Sequence, residues 1–150
     1  MKAGIKNIIV ETICILYAVL FFYAAINKLM DYQKFQVQLG QSPLLSAYAD
    51  WVAIVVPILE IIFALLLFYK PLRQIALYCC CFLMVMFTTY IIIILNFSSF
   101  VPCSCGGVLE KLGWTEHLIF NIVFVALAIV AILLSNNESE NVEHVNYQMT

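Results

Sequence analysis

Residues 75–95 have the sequence IALYCCCFLMVMFTTYIIIIL, which contains no charged side chain. A helix needs roughly 20 mostly apolar residues, at a rise of about 1.5 Å each, to cross the hydrocarbon core of a bilayer. Backbone groups in lipid must find hydrogen-bond partners within their own segment, and a helix provides them. The stretch therefore predicts a membrane-spanning helix, because it lacks the alternating hydrophobicity of a barrel strand.

Three further segments pass the same test, at residues 8–30, 51–69 and 117–134. The four spans predict an all-α integral membrane protein, a four-helix bundle forming one domain over residues 1–134. A polar, acidic C-terminal tail follows over residues 135–150. We interpret the first span as a retained helix and not a signal peptide, because its apolar run is long and no small-x-small cleavage site follows.

The composition agrees with a bilayer as the surrounding solvent. Hydrophobic residues make up 65% of the chain and charged residues 11%, with a mean hydropathy of +1.02. A soluble domain is nearer half apolar and a quarter charged, so a disordered chain and an ordinary cytosolic enzyme are excluded. The net charge of −2 implies no strong electrostatic partner and argues against nucleic-acid binding. Membrane lipid is the expected contact.

The basic residues suggest an orientation in the membrane. One side of the four spans holds Lys2, Lys6, Lys70 and Arg73, and the other holds Lys28, Lys34 and Lys111. Because Lys and Arg are in excess on the cytoplasmic side, we expect an N-in/C-in arrangement. The semi-apolar residues 31–50 then form an outward loop with a short surface-lying segment. No organelle signal is present, so a bacterial inner membrane is expected.

Two of the six cysteines, Cys103 and Cys105, lie in the second outward loop, on the side where disulfides persist. A disulfide across one intervening residue closes a small, strained ring, and strained exposed disulfides are the more oxidising and labile ones. The pair therefore favours thiol–disulfide exchange. A purely structural bridge, a metal half-site and two inert thiols are the alternatives. A metal would need more ligands than His117, so no metal site is predicted.

The other four cysteines, Cys14 and Cys79 to Cys81, are predicted near the inner face of the membrane. A bundle about 30 Å thick separates them from the outer pair, so exchange between the two groups is not expected. Packing as small apolar side chains is the simplest explanation for these four cysteines, and acylation near the inner face is the alternative.

A few polar side chains fall within the spans, where ionisable groups are costly and often functional. We predict that they form a polar cluster beneath the cysteine loop, with its members being Asn27, Lys28, Glu60, His117 and Asn121. Lys28 either reaches inward to Glu60 or extends outward to the interface. His117 is also a candidate catalytic group beside Cys103 and Cys105, as a proton acceptor or as a cation next to a thiolate. Interhelical hydrogen bonding without chemistry is the alternative for the whole cluster.

Several stretches resemble the MauE/DoxX family of membrane proteins. The sequence AINKLMD at residues 25–31 resembles the end of the first helix in that family, and SPLL at residues 42–45 and Pro57 with Glu60 resemble its second helix. The sequence VPCSCGG at residues 101–107, followed by GWTEH at residues 113–117 and Asn121, resembles the MauE branch from Bacteroidetes-type bacteria. The resemblance covers roughly residues 8–134, and the Cys-x-Cys stretch is its most specific part.

The resemblance implies a small four-helix inner-membrane protein. MauE is associated with methylamine utilisation, where it supports maturation of a disulfide-rich dehydrogenase subunit, and its usual companion is thioredoxin-like. By this resemblance Cys103 and Cys105 match the redox pair, and a thioredoxin-like periplasmic protein is the expected partner. The family fold is similar in outline to the quinone-linked vitamin K epoxide reductase bundle, so a quinone is the other candidate oxidant. Lys28, Glu60, His117 and Asn121 match family-like positions without an assigned chemistry.

These observations lead to two main functional hypotheses. The first is a membrane thiol–disulfide oxidoreductase or electron relay that supports disulfide formation or maturation of periplasmic proteins. The second is a non-catalytic accessory subunit of a larger inner-membrane complex, and the sequence leaves open whether the protein is an enzyme. A small ion-coupled carrier built on Lys28 and Glu60 is disfavoured, because four short spans hold only one deeply placed carboxylate.

Overall fold

The computed structural model describes residues 3–42, 45–97 and 113–148, and within those ranges it contains helices and no strand. The helices are α1 (Ala3–Met30), α2 (Tyr32–Gly40), α3 (Ala49–Leu66), α4 (Arg73–Phe97) and α5 (Trp114–Gln148). One-turn 3₁₀ helices at Ser46–Tyr48 and Lys70–Leu72 precede α3 and α4. The predicted all-α fold class is confirmed.

Four of the helical segments are long and apolar enough to cross a membrane, namely Gly4–Met30, Ser46–Leu66, Lys70–Asn96 and Thr115–Ser135. This confirms the four-span prediction and a multi-pass membrane protein. Helix α5 continues past the apolar part to Gln148, because residues 114–148 contain neither glycine nor proline to end it.

The long helices form a closed four-membered arrangement. Helix α1 packs against α3 and α5, and α4 packs against the same two helices. Consecutive spans run in opposite directions, so each long helix lies beside antiparallel neighbours. We call the end where α1 and α4 finish and α3 and α5 begin the loop end, and the opposite end the terminal end. Residues 98–112, between α4 and α5, connect the bundle at its loop end.

The half of the bundle nearer the terminal end has an apolar core. Leu77, Cys80 and Ala128 are almost completely buried there, in one cluster with Tyr17 and Phe21 from the middle of α1. The Tyr17 ring packs edge-on against Phe21, and its hydroxyl donates a hydrogen bond of 2.6 Å to the carbonyl of Phe124 on α5. Small residues such as Ala128 allow the helix backbones to approach closely, which is how helices associate in lipid.

Helix α2 lies between the first two spans, where the sequence predicted a short surface-lying segment. Its Phe35 and Leu39 are buried against Ala49 and Ala53 at the start of α3, so α2 folds back onto the loop end of the bundle. Its exposed face is mostly polar, as expected of a helix near a membrane surface. The side chain of Phe35 thereby reaches the top of the bundle core, next to the end of α1.

Candidate functional site

A buried ion pair joins α1 to α3 inside the bundle. Lys28 Nζ lies 2.5 Å from Glu60 Oε1, and the two residues are only 8% and 1% exposed. Of the two directions that the sequence allowed for Lys28, the structure shows the inward one. Removing two charges from water costs several kcal/mol per ion, and close pairing with hydrogen bonding offsets that cost. The pair is therefore stable only while both partners are present.

Aromatic rings complete the surroundings of the Lys28 ammonium group. Its Nζ lies 5.4 Å from the centre of the Phe87 ring on α4 and 5.9 Å from the centre of the Phe35 ring on α2. A cation over an aromatic face is attracted by the ring quadrupole, by about 2 kcal/mol when both groups are desolvated. The sequence analysis missed the role of these two phenylalanines, because nothing in the sequence distinguishes an aromatic ring over a cation from a ring in ordinary packing.

A proline lies one turn before Glu60 on α3. Pro57 lies inside the helix and is buried, and its missing N–H leaves the carbonyl of Ala53 without its usual helical donor. Ala53 is itself completely buried. Glu60 uses one carboxylate oxygen for Lys28, while its second oxygen, Oε2, is buried with no hydrogen-bond partner among the described residues.

Helix α5 brings His117 and Asn121 to the same half of the bundle. The two residues are four apart and so lie on one helix face. Asn121 is 4% exposed, and His117 is half-buried with its Nδ1 atom fully enclosed and unpartnered within the described part of the chain. His117 lies about 5 Å from the start of α5 by helix rise, a depth similar to that of Lys28 near the end of α1, and α5 packs against α1. Lys28 and Glu60 therefore meet in the structure, and His117 and Asn121 lie on a neighbouring helix.

The side chain of Asn27 forms a hydrogen bond within its own helix. Its side-chain amide donates a hydrogen bond of 2.7 Å to the carbonyl of Tyr23, one turn earlier in α1. That bond satisfies the amide within its own helix. Asn27 is therefore adjacent to Lys28 in sequence, and its described hydrogen bond stays inside α1.

The start of α5 is fixed by a cap that the sequence analysis did not identify. The backbone N–H of Gly113 donates a hydrogen bond of 2.5 Å to Glu116 Oε2, which is the backward half of a capping box. A Cβ atom at position 113 would lie 3.0 Å from that same oxygen, so glycine leaves room for the cap. The spacing Gly-x-x-Glu before an apolar run was the available signal. This cap sets the point at which the chain re-enters the bundle above His117.

The cysteines that the structure describes are free thiols. They are Cys14, Cys79, Cys80 and Cys81, and Cys14 and Cys80 are buried in the terminal half. Cys103 and Cys105 lie outside the described residues and stand between α4 and α5 in sequence. From Cys80 to Phe97 at the end of α4, the helix rise alone gives about 25 Å. The separation of the two cysteine groups stays a prediction, which this length of α4 favours.

The described residues do not assemble a metal site. No group of three or more His, Cys, Asp or Glu side chains within 3–42, 45–97 and 113–148 is arranged to hold a metal ion. What the buried cluster does offer is two unpartnered polar atoms, Glu60 Oε2 and His117 Nδ1, beside a fixed positive charge. Such a set can hold a hydrogen-bonding group or move a proton.

Comparison with known proteins gives one family match. The family model described as methylamine utilisation protein MauE matches residues 6–134, which include all four spans and every residue of the buried cluster. No curated protein and no solved structure shows a significant similarity to the chain.

Proposed function

The chain belongs to the MauE family, and from that premise we propose that it is a membrane thiol–disulfide oxidoreductase or electron relay whose redox pair is Cys103 and Cys105. The family match over residues 6–134, which include this Cys-x-Cys sequence, supports the proposal. In sequence, Cys103 and Cys105 stand between the last residue of α4 and the first residue of α5, and those two helix ends lie at the loop end of the bundle.

In the proposed reaction, a thiolate of a partner protein attacks the Cys103 sulfur of an oxidised Cys103–Cys105 pair. The sulfur–sulfur bond breaks, Cys105 leaves as a thiolate, and a mixed disulfide joins Cys103 to the partner. A second partner thiolate then attacks the partner's own sulfur and releases Cys103. The partner ends as a disulfide, and the pair ends as two thiols holding two electrons and taking up two protons.

The reduced pair needs a second oxidant, because the four described cysteines are free and lie toward the terminal end. We propose a thioredoxin-like protein on the same side of the membrane as the partner in exchange. A quinone is the alternative acceptor of the two electrons. We further propose an N-in/C-in orientation in a bacterial inner membrane, with the cysteine loop on the periplasmic side.

The experiment is a redox titration of the pair in membranes. Cys14, Cys79, Cys80 and Cys81 are replaced by alanine, so that alkylation by a mass tag reports only Cys103 and Cys105. We expect a reversible two-electron transition at a potential above about −300 mV, the range of structural disulfides. A pair that stays oxidised under strong reductant, or that never forms a disulfide, would rule out exchange chemistry.

Trapping identifies the partner and the attacked sulfur. In a Cys105→Ser variant, the Cys103 thiolate is expected to attack the disulfide of the oxidised thioredoxin-like partner and to remain in a mixed disulfide with it, because Cys105, the thiol that would resolve this disulfide, is missing. The matched Cys103→Ser variant should trap less, since the proposal assigns the attack to Cys103. A Cys79→Ser variant, changed at a half-buried thiol away from the loop, serves as the control and should leave the redox titration unaltered.

A non-catalytic accessory subunit is the second candidate, and exposed apolar side chains near the loop end favour it. Met30, Tyr48 and Trp51 are 78%, 64% and 73% exposed around the junctions of α1 and α3 with the first outward loop. A protein partner seated there would cover them. Co-purification of a stoichiometric partner that persists in a Cys103→Ser/Cys105→Ser variant would support this candidate over the oxidoreductase.

A further inference from the structure

Besides Ser42 Oγ in the connection between α2 and α3, two buried polar atoms on the spanning helices are left without a hydrogen-bond partner by the described residues, and the proposed cysteine chemistry does not use them. They are Glu60 Oε2 on α3 and His117 Nδ1 on α5. Glu60 is 1% exposed, so bulk water does not reach its carboxylate. An unsatisfied buried acceptor costs about 1–3 kcal/mol, and more when it is charged. Such groups in native proteins are normally satisfied, often by ordered water.

Lys28 shows that both atoms border one region of the core. Its ammonium group lies 2.5 Å from the Glu60 carboxylate and within 6 Å of the ring centres of Phe35 and Phe87. His117 lies at a similar depth, about 5 Å from the start of α5 by helix rise, and α5 packs against both α1 and α4. Residues from α1, α3, α4 and α5 therefore converge around one ammonium group, as binding sites in the cores of helical bundles do.

The chemistry of the two atoms defines what could occupy this region. Glu60 Oε1 already accepts a hydrogen bond from Lys28, so Oε2 remains as an acceptor that needs a donor. A second cation is disfavoured, because the Lys28 charge already balances the carboxylate. The occupant must therefore be neutral and must donate an O–H or N–H bond, and in a membrane interior O–H is available from water and from lipid-soluble alcohols or phenols.

We propose that the loop half of the bundle core holds a binding site for a neutral O–H donor, with Glu60 Oε2 as its acceptor on α3 and His117 Nδ1 as its contact on α5. The site stands on the buried cluster alone and does not depend on the Cys103–Cys105 chemistry. Its occupant gives the buried carboxylate a hydrogen-bonded neighbour through which a proton can be exchanged.

Radiolytic footprinting in nanodiscs of synthetic phosphatidylcholine tests for water as the source. Hydroxyl radicals made from heavy-oxygen water label only aromatic rings that have water beside them. Phe87 is the reporter, because it lies about 15 Å below the end of α4 by helix rise and contacts Lys28. We expect heavy-oxygen label on Phe87. Phe21, which is equally apolar and 1% exposed, and Phe82, which is 66% exposed on the outer surface of the bundle, should remain unlabelled.

Two variants test whether the labelling of Phe87 depends on Lys28, Glu60 and His117. Lys28→Met/Glu60→Leu removes both charges together, so it leaves no unpaired buried charge and is expected to fold. It should lose the label on Phe87, and His117→Phe should reduce it. The matched control is Arg73→Met/Glu11→Leu, which removes the ion pair of 3.9 Å near the terminal end and should leave the label on Phe87 unchanged.

Solvent extraction tests for the other source. Protein purified from cell membranes is extracted with organic solvent, and the extract is analysed by mass spectrometry. A neutral alcohol or phenol present in stoichiometric amount, and absent from Lys28→Met/Glu60→Leu, would support the site with a bilayer-derived occupant. If Phe87 is labelled no more than Phe21 and no such compound is extracted, the proposal is overturned. Neither readout involves a cysteine, so this failure is distinct from failure of the redox titration.

Discussion

The two halves of the bundle are built from different kinds of side chain. From the middle of α1 toward the terminal end, the largest buried residues are Tyr17, Leu67 and Leu77, packed against small residues of neighbouring helices. In the loop half, Lys28 of α1 and Glu60 of α3 are buried nearly as completely. The same four helices form both halves, so the halves differ in their buried residues and not in the arrangement of their helices.

This difference separates side chains that stabilise the bundle by packing from charged side chains that are buried at a cost in stability. Between helices in lipid there is little hydrophobic driving force, so the terminal half is stabilised by close packing. A well-packed apolar pair at positions 28 and 60 would do the same at a lower desolvation cost, because buried ion pairs are often no more stabilising than apolar replacements. Charges kept in such a place point to function.

The largest effect is expected from breaking the buried ion pair on one side only. Glu60→Ala leaves the Lys28 ammonium group buried without its anion, and we expect a loss of about 3–5 kcal/mol of unfolding free energy. The double variant Lys28→Met/Glu60→Leu should recover most of this loss, because no charge remains unpaired. Unfolding by SDS titration in mixed micelles measures both. Equal destabilisation by the single and the double variant would contradict a functional origin for the charges.

A smaller loss is expected from a cavity in the terminal half. Leu77 on α4 is completely buried, and Leu77→Ala should cost about 2–4 kcal/mol through lost packing contacts. The same truncation at Leu65, which is 56% exposed on the outer surface of α3, is the control and should cost much less, because lipid can fill the space. A similar cost at both positions would mean that packing does not distinguish the core from the lipid-facing surface.

The sequence predicted the fold well because charge-free apolar runs leave a bilayer protein few alternatives. Four spans were predicted, and four apolar helices long enough to cross a membrane are present. Helix α5 continues past its span to Gln148, because no glycine or proline ends it. The helical form of α2 was harder to predict from the sequence, because its nine residues are largely polar and its Phe35 and Leu39 become buried only through contact with α3.

The sequence named the residues of the candidate site but did not give their geometry. The rise along the helices separates Lys28 and Glu60 in depth by roughly 10 Å, so only the tilt of the helices and a long side chain decide whether they meet. The aromatic rings around the ammonium group come from α2 and α4, and their convergence is a tertiary property. Cys103 and Cys105, outside the described residues, remain a prediction from sequence and family.

A still smaller effect should follow the loss of the hydrogen bond between α1 and α5. Tyr17→Phe keeps the edge-on ring contacts with Phe21 and Phe124 and removes only the donation to the Phe124 carbonyl. That carbonyl lies within α5 and keeps its helical donor, so we expect a cost of about 0.5–1.5 kcal/mol. Tyr17→Leu, which also removes the ring, should cost clearly more. If both variants cost the same, the hydroxyl dominates and the packing account of this half is wrong.

The smallest effect is expected at the other ion pair. Glu11 Oε1 lies 3.9 Å from an Arg73 side-chain nitrogen, and the Glu11 side chain is 59% exposed. An exposed pair at that distance is screened and geometrically loose, so Glu11→Gln should change the unfolding free energy by less than about 0.5 kcal/mol. Glu11→Gln and Glu60→Gln are the same chemical change in the two halves, measured in the same micelles. A large gap between them would show that burial, and not the presence of a carboxylate in a membrane helix, makes the loop half sensitive. Similar effects would place the two ion pairs in the same class and remove the contrast between the halves.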